Sequence, residues 1–251
     1  MIDKKIHYCW FGKGTLPPLA QKCIASWKKN CPDYEIIEWN EDNFDINSIP
    51  YVKEAYKAGK YAFVSDYVRL YVLYNEGGIY MDTDVEVIKP LDQFLTHSAF
   101  TGMESDEYCV TGIIGSVKEH PWIKSLLQTY SDKKFKLENG QFDISTNTEL
   151  ITRITTIEYN WLNENRKQIL KNDLSIYPFE TFCAKDWRTG LVKSNDETFT
   201  IHHFSGSWID PSLKGKNERK AIAKRLLIRV LGEKYMSKLL SYKKQILNFL
   251  R

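Results

Sequence analysis

Residues 77–84 read Gly-Gly-Ile-Tyr-Met-Asp-Thr-Asp, and their two acids, Asp82 and Asp84, are the side chains here best spaced to do chemistry together. On a β-strand residues i and i+2 face one side, so a strand over 79–87 predicts that the carboxylates converge. Two oxygen donors at a strand end suit a hard divalent cation, Mn²⁺ or Mg²⁺, bridging a diphosphate. An isolated D-x-D occurs about once by chance in a chain of this length, and then marks only a solvated strand end. Its surroundings change those odds. Ser65-Asp66-Tyr67-Val68-Arg69 sets Asp66 and Arg69 three apart, on one face of a helix. As an exposed ion pair they would contribute about 0.2–0.5 kcal/mol; as a site they would clamp sugar hydroxyls and a phosphate. Further on, Ile201-His202-His203-Phe204-Ser205-Gly206-Ser207-Trp208 offers a histidine nitrogen to the same cation and the Trp208 N–H to a phosphate oxygen.

These residues need a scaffold, and the pattern around them supplies one. Lys4–Phe11 and Tyr34–Trp39 read as strands, with a turn at Gly12–Gly14 and a helix entered at Pro17-Pro18 between them. A helical period over Ala62–Asn75 stops at Gly77-Gly78, a fitting breaker. Val110–Val117 reads as a strand, His120–Tyr130 as a helix with Pro121 in its first turn, and Thr146–Trp161 as a helix. Leu174–Tyr177 and Phe199–Phe204 complete the set as strands. Strands and helices interleave, which predicts an α/β layered fold. Ligands of such folds sit beyond the carboxyl ends of the strands.

Taken together, Ala62-x-x-Ser65-Asp66-x-x-Arg69, Gly77-Gly78-x-Tyr80-x-Asp82-x-Asp84 and His202-His203-x-x-x-Ser207-Trp208 resemble the DXD sugar-binding glycosyltransferases. Ile6-His7-Tyr8-Cys9-Trp10-Phe11-Gly12 and Pro32-Asp33-Tyr34-Glu35-Ile36-Ile37-Glu38-Trp39-Asn40 look like the bacterial capsular-polysaccharide branch. The resemblance runs over roughly residues 4–208 and extends to the yeast initiating outer-chain mannosyltransferase. It implies a GT-A (Rossmann-like) fold, a nucleotide-sugar donor, Mn²⁺ dependence and retention of anomeric configuration. On the matching positions it implies that Asp82 and Asp84 hold the metal and diphosphate and that Asp66 and Arg69 hold the donor sugar. Trp10 falls near the nucleotide, Trp208 at the β-phosphate, and Tyr80 and Ser207 within the donor-binding set. A residue at His203 or Ser205 completes the metal shell, with His203 taken as the ligand. For the bacterial branch the expected donor is UDP-galactose or UDP-glucose, with GDP-mannose behind. No third acid stands out as a nucleophile, which favours same-face attack in which the departing phosphate takes the acceptor's proton. Glu104 and Asp106 are placed to line the acceptor side.

Composition sets the wider frame. Five cysteines without a C-x-x-C pair argue against a disulfide framework or zinc site and for a reducing compartment. No apolar run approaches bilayer length, and the first residues show no signal-peptide core, so a cytoplasmic protein is expected. Seven Trp and fifteen Tyr permit a carbohydrate-binding cleft without requiring one. Residues 214–251 carry twelve Lys/Arg and two Glu, a net +10, against −7 over residues 1–213. Apolar residues recur at helical spacing in that segment. It is therefore expected as a basic amphipathic tail after a catalytic domain at 1–213, either packed on the body or docked on anionic lipid at the inner membrane face. There a lipid-linked saccharide acceptor would be presented, as in capsular or extracellular polysaccharide synthesis. No nucleic-acid motif is present. Two rivals stand beside this reading: a phosphatase of haloacid-dehalogenase type, whose pattern wants Thr or Val where Glu86 stands, and a non-catalytic sugar-nucleotide-binding protein.

Overall fold

The computed structural model describes residues 1–105, 107–187 and 189–206. In chain order the elements are β1 (Lys5–Cys9), α1 (Pro18–Asn30), β2 (Glu35–Trp39), α2 (Pro50–Lys57), α3 (Tyr61–Glu76), β3 (Gly78–Met81) and β4 (Val85–Val87). There follow β5 (Ala99–Gly102), β6 (Ile113–Ser116), α4 (Pro121–Gln128), α5 (Asn147–Tyr159), β7 (Gln168–Leu170), β8 (Leu174–Tyr177), α6 (Phe179–Phe182) and β9 (Thr200–His202). Among the described residues seven strands form one sheet in the order β2-β1-β3-β6-β5-β8-β7, and β4 pairs with β9 in a separate ribbon. The α/β, Rossmann-like architecture expected from the interleaved pattern is therefore present.

The β2-β1-β3 portion is parallel, so its strands need helical crossovers, and α1 and then α2 with α3 provide them. From β1 the chain first lays β2 on one side and then returns to lay β3 on the other. The crevice between β1 and β3 is thus the topological switch point, where α/β sheets leave room for a ligand. Trp10 follows β1 and Asp82 follows β3, both at that carboxyl edge.

The paired glycines are required by this packing. Gly77 and Gly78 both have positive φ, at +67° and +94°, and a Cβ on Gly78 would lie 2.9 Å from His7 Nε2. Beneath β1 and β3, Val64, Val68, Val72 and Leu73 of α3 are fully buried, so the helix that carries Asp66 and Arg69 is fixed by its apolar face. On α1, Trp27 is buried and donates its Nε1–H to the Val85 carbonyl (2.7 Å), which ties β4 to the body.

One expected strand is two. The run 79–87 breaks after Met81, and Asp82–Asp84 form a turn closed by Val85 N–H to Asp82 O (3.0 Å) before β4 begins. The carboxylates converge by turn geometry, not by strand alternation. Helix α2 and strand β7 were not anticipated: α2 is only eight residues long, and β7 is a three-residue edge strand. Residues 1–185 and 193–206 belong to one compact unit, and 186–192 to a second. The basic segment 214–251, the boundary at 213, and Asp106, Ser207 and Trp208 lie outside the described residues. Among the described residues no helix is long and apolar enough to cross a membrane.

His7, in the middle of β1, is wholly buried. Trp39 Nε1–H donates to its Nδ1 (3.2 Å), so Nε2 carries the proton and donates to Gly77 O (2.9 Å). Burial pushes the His7 pKa down to about 4. Since the folded value is depressed, the unfolded chain takes up the proton first, and stability is complete only above the ordinary value of about 6.5. Between about pH 6.5 and 4 the protein should lose about 3 kcal/mol from this residue. Urea midpoints measured across that window for wild type and His7→Gln should converge as pH falls; parallel curves would assign the acid loss to other groups.

Candidate active site

At the switch point Arg69 is the central charge. Its Nη2 lies 2.9 Å from Asp66 Oδ1 and 3.3 Å from Asp82 Oδ1, and its guanidinium stacks over the Tyr80 ring at 4.8 Å. Asp66 and Arg69 are therefore no exposed surface pair: their side chains are 14% and 12% accessible. Burial disfavours the Arg69 charge, but Asp82, Tyr80 and Asp66 outweigh it and raise the pKa above its ordinary value. Burial pushes Asp66 up to about 6 despite the guanidinium beside it.

Asp82 is held by one oxygen. Tyr80 O–H donates to Oδ1 (3.1 Å), the same atom that meets Arg69. Its other oxygen, Oδ2, faces Gly112, where an added Cβ would sit 3.2 Å from it and 3.3 Å from His202 Cε1. That glycine leaves a cradle bounded by Asp82, His202 and Val85. Asp84 completes the group: its Oδ1 is 3.3 Å from His202 Nε2, and its Oδ2 accepts from Ser205 N–H at 2.6 Å. Burial alone would raise the Asp84 pKa, but the His202 charge and these hydrogen bonds hold it well below the usual carboxylate range. Burial likewise opposes charge on His202, yet the Asp84 carboxylate raises its pKa well above the ordinary value.

One ligand atom each from Asp82, Asp84 and His202 lies within 4.8 Å of the others. Two carboxylate oxygens and an imidazole nitrogen around this cradle form a donor set that fits Mn²⁺ or Mg²⁺. Thr111 Oγ1 lies 3.3 Å from the other ring nitrogen of His202, the kind of outer contact that orients a metal-binding imidazole. Phe204, at φ +56°, packs its ring 4.2 Å from the His202 ring. A bulky residue in the left-handed region is strained, and such strain gathers at functional sites.

The structure groups His202, and not the expected His203, with Asp82 and Asp84. His203 turns away from the pair: its Nε2 is 2.8 Å from Glu86, and its backbone N–H donates to Asp84 O (2.9 Å). The cause is strand alternation. In the β4–β9 ribbon His202 is opposite Val85 and Ile201 opposite Glu86, so successive histidines face opposite sides. Sequence alone could not choose between them without that register.

Trp10 sits at the rim after β1, its N–H donated to Gly14 O (2.6 Å). Glu104, just beyond β5, is pushed up to about 7 by burial and by Asp82 and Asp84, with His202 opposing. It is a third acid within electrostatic reach of the pair, at one of the two positions expected to line the acceptor side. Gly112 had no signal of its own, because its importance lies in what it omits.

The family described as the glycosyltransferase sugar-binding region containing the DXD motif matches residues 17–101. Inositol phosphoceramide mannosyltransferase 2 of Schizosaccharomyces pombe is 27% identical over 83% of this chain and 58% of its own length. Inositol phosphoceramide mannosyltransferase 3 of the same yeast is 28% identical over 51% of this chain. The chain spans only 36% and 58% of the lengths of these two proteins. The initiation-specific alpha-1,6-mannosyltransferase of Candida albicans is 23% identical over 84% of this chain and 73% of its own. Among solved structures, a glycosyltransferase involved in glycosylation of the PBCV-1 major capsid aligns over 86% of this chain, with 12% identity and a TM-score of 0.47.

The two histidines can be told apart by cation binding. His202→Ala should weaken Mn²⁺ binding at least about tenfold, while His203→Ala should stay within about twofold of wild type. Paramagnetic resonance of free Mn²⁺ titrated with each protein reads this directly. The reverse order would restore His203 as the ligand.

Proposed function

We propose that this chain, a member of the DXD sugar-binding glycosyltransferase family, moves a hexose from a nucleotide sugar to a saccharide acceptor with retention of anomeric configuration. The observation that carries the reading is the juxtaposition of two sites through one residue. Asp82 gives Oδ1 to Arg69, which also holds Asp66, where a sugar would lie, and turns Oδ2 to the side of Asp84 and His202, where a cation would hold the diphosphate.

In that reading the chain's own groups divide the work. A bound cation would act as Lewis acid toward the leaving diphosphate. Asp82, Asp84 and His202 would hold it, while Arg69 supplies fixed positive charge beside the breaking bond. Asp66 fixes the hexose through its hydroxyls. Trp10, Ser207 and Trp208 remain expected donor contacts at the nucleotide and phosphate. Attack from the face that the diphosphate leaves lets a phosphate oxygen take the acceptor's proton. The raised pKa of Glu104 also suits it to exchange a proton with the acceptor hydroxyl. UDP-galactose and UDP-glucose remain candidate donors, and the names of the relatives put GDP-mannose beside them. Two of those names specify an inositol phosphoceramide, which supports a lipid-linked acceptor here.

A panel of nucleotide sugars with Mn²⁺, scored by nucleotide release, tests the activity. One donor should be hydrolysed, chelator should silence the reaction until Mn²⁺ is returned, and Asp82→Ala and Asp84→Ala should abolish it. Full turnover in excess chelator would remove the cation from the scheme, and free phosphate from a phosphomonoester would favour the phosphatase reading. Arg69→Ala leaves Asp66 buried without its partner, so it should cost stability as well as activity. Arg69→Lys is the cleaner probe. It keeps the charge, loses the fork, and should lower kcat/KM by about a hundredfold, about 2.7 kcal/mol.

The basic segment 214–251 extends the proposal to place: a cytoplasmic enzyme held at the inner membrane face by the tail's +10 charge. Each well-placed Lys or Arg contributes about 1 kcal/mol of attraction to anionic lipid. Screening weakens that attraction, since the Debye length falls from about 10 Å at 0.1 M salt to about 3 Å at 1 M. Co-sedimentation with anionic liposomes should be salt-sensitive and lost on truncation after Leu213, with donor hydrolysis retained. Unfolding on truncation would make the segment part of the core.

A further inference from the structure

The loop that carries Trp10 is bent against its own preference and held by a side chain from another loop. Gly12 and Lys13 both take left-handed φ, +91° and +56°, a region that lysine rarely adopts. A Cβ on Gly12 would lie 2.3 Å from the Tyr61 ring, so the backbone is seated directly on that side chain. The bend brings the Gly14 carbonyl back to the indole of Trp10, which donates its Nε1–H there (2.6 Å).

Glu41 supplies the restraint. Its Oε1 accepts from the Gly12 N–H at 2.6 Å and from the Tyr56 O–H at 2.8 Å. Both bonds end on a carboxylate, and such charge-assisted bonds are stronger than neutral ones. Burial opposes the charge, but the Gly12 N–H and the Tyr56 O–H outweigh it and hold the carboxyl below its ordinary range. The turn that carries Glu41 does not depend on that side chain. Asn40 N–H donates to Asn43 Oδ1 (2.9 Å), Asn43 Nδ2 donates to Glu38 O (2.7 Å), and buried Phe44 packs edge-on against Phe11 and Tyr71. The turn after β2 is thus closed by its own bonds, and Glu41 reaches from it to the turn after β1.

This arrangement limits what Trp10 can offer a ligand. An indole has one donor and no acceptor. Gly14 O occupies that donor, so a ring face is what remains, and a flat heterocycle stacks on such a face.

We propose that Glu41 is a positioning residue of the donor site: it fixes the strained turn Gly12–Gly14, and through Gly14 the indole of Trp10, so that a ring face is presented to the nucleobase. The assignment rests on the transferase reading above, with Trp10 as its nucleotide contact, and deepens it. The bonds of Glu41 run to the turn and to Tyr56, so it acts on donor affinity and not on the bond-breaking step.

The full-length protein and the variants Trp10→Ala, Glu41→Ala, Glu41→Gln and Tyr56→Phe test it by calorimetric titration with UDP and GDP in Mn²⁺, donor kinetics and melting temperature. For whichever nucleotide binds wild type, Trp10→Ala should weaken binding about tenfold or more. Glu41→Ala should weaken it about fivefold or more, while Glu41→Gln, which keeps an acceptor oxygen at the same reach, should stay within about twofold. Tyr56→Phe should fall between those two. Donor KM should rise in the same order with kcat unchanged, and Mn²⁺ binding without nucleotide should match wild type. A Glu41→Ala protein that binds nucleotide as wild type does, while Trp10→Ala does not, overturns this assignment only. So does a Glu41→Ala protein whose kcat falls with its melting temperature while KM is unchanged, the mark of a merely structural acid. Should Glu41→Ala not fold, equal nucleotide affinity in Tyr56→Phe and wild type overturns the assignment by itself. Unchanged binding by Trp10→Ala removes the nucleotide from Trp10, and the role of Glu41 with it. A wild-type protein that neither binds UDP or GDP nor hydrolyses a nucleotide sugar overturns the transferase reading itself.

Discussion

The site depends on one buried guanidinium. Arg69 lies between Asp66 on its own helix and Asp82 beyond β3, and removing it would leave two acids facing each other in a poorly solvated crevice. Breaking such a group is strongly destabilising, because the surviving charges lose both water and partner. Arg69 cannot shed its charge to relieve the strain, as a lysine would by a shift in pKa. A permanent cation is thus the device that lets an acid from a helix and an acid from a strand end share one cavity. It also divides Asp82 in function, fixing Oδ1 inward so that Oδ2 is presented outward at Gly112.

Topology explains why the groups meet where they do. The β2-β1-β3 order opens a crevice beyond the ends of β1 and β3, and α3, the second crossover, must pass beneath that edge. The helix is locked by Val64, Val68, Val72 and Leu73, so its polar face has no freedom to turn from the crevice. The β4–β9 ribbon then brings the distant His202 to the same place, with Trp27 and Asn30 of α1 holding β4 through its Val85 and Val87 carbonyls. Three separate packing problems converge on one small volume. Each is solved by apolar burial or backbone pairing, and none by the site's own charges.

What was legible in the sequence follows from this division. Periodicity located β1, β2, α3 and β8 because their apolar faces are the quantity it measures. The acids at Asp82 and Asp84 and the Asp66–Arg69 pair announced themselves by spacing, and the structure brings these four together. The D-T-D segment was taken for continuous strand, since a three-residue turn between strands has no period of its own. His202 was passed over for His203 because alternation needs a register, and β9 acquires its register only by pairing with β4. Gly112 was silent for a related reason: its significance is the space it leaves, a property of the assembled pocket.

Charge balance gives the crevice its chemistry. Arg69 compensates Asp66 and Asp82, and in the absence of any other cation a proton on His202 compensates Asp84. These two compensations differ in kind. The guanidinium is permanent, whereas an imidazole coordinates a metal only when neutral, so a divalent cation bound by Asp84 and His202 would have to displace the proton from His202. Proton and metal are therefore alternative ways of neutralising one carboxylate. On the Arg69 side the charge is fixed, and on the His202 side it can exchange.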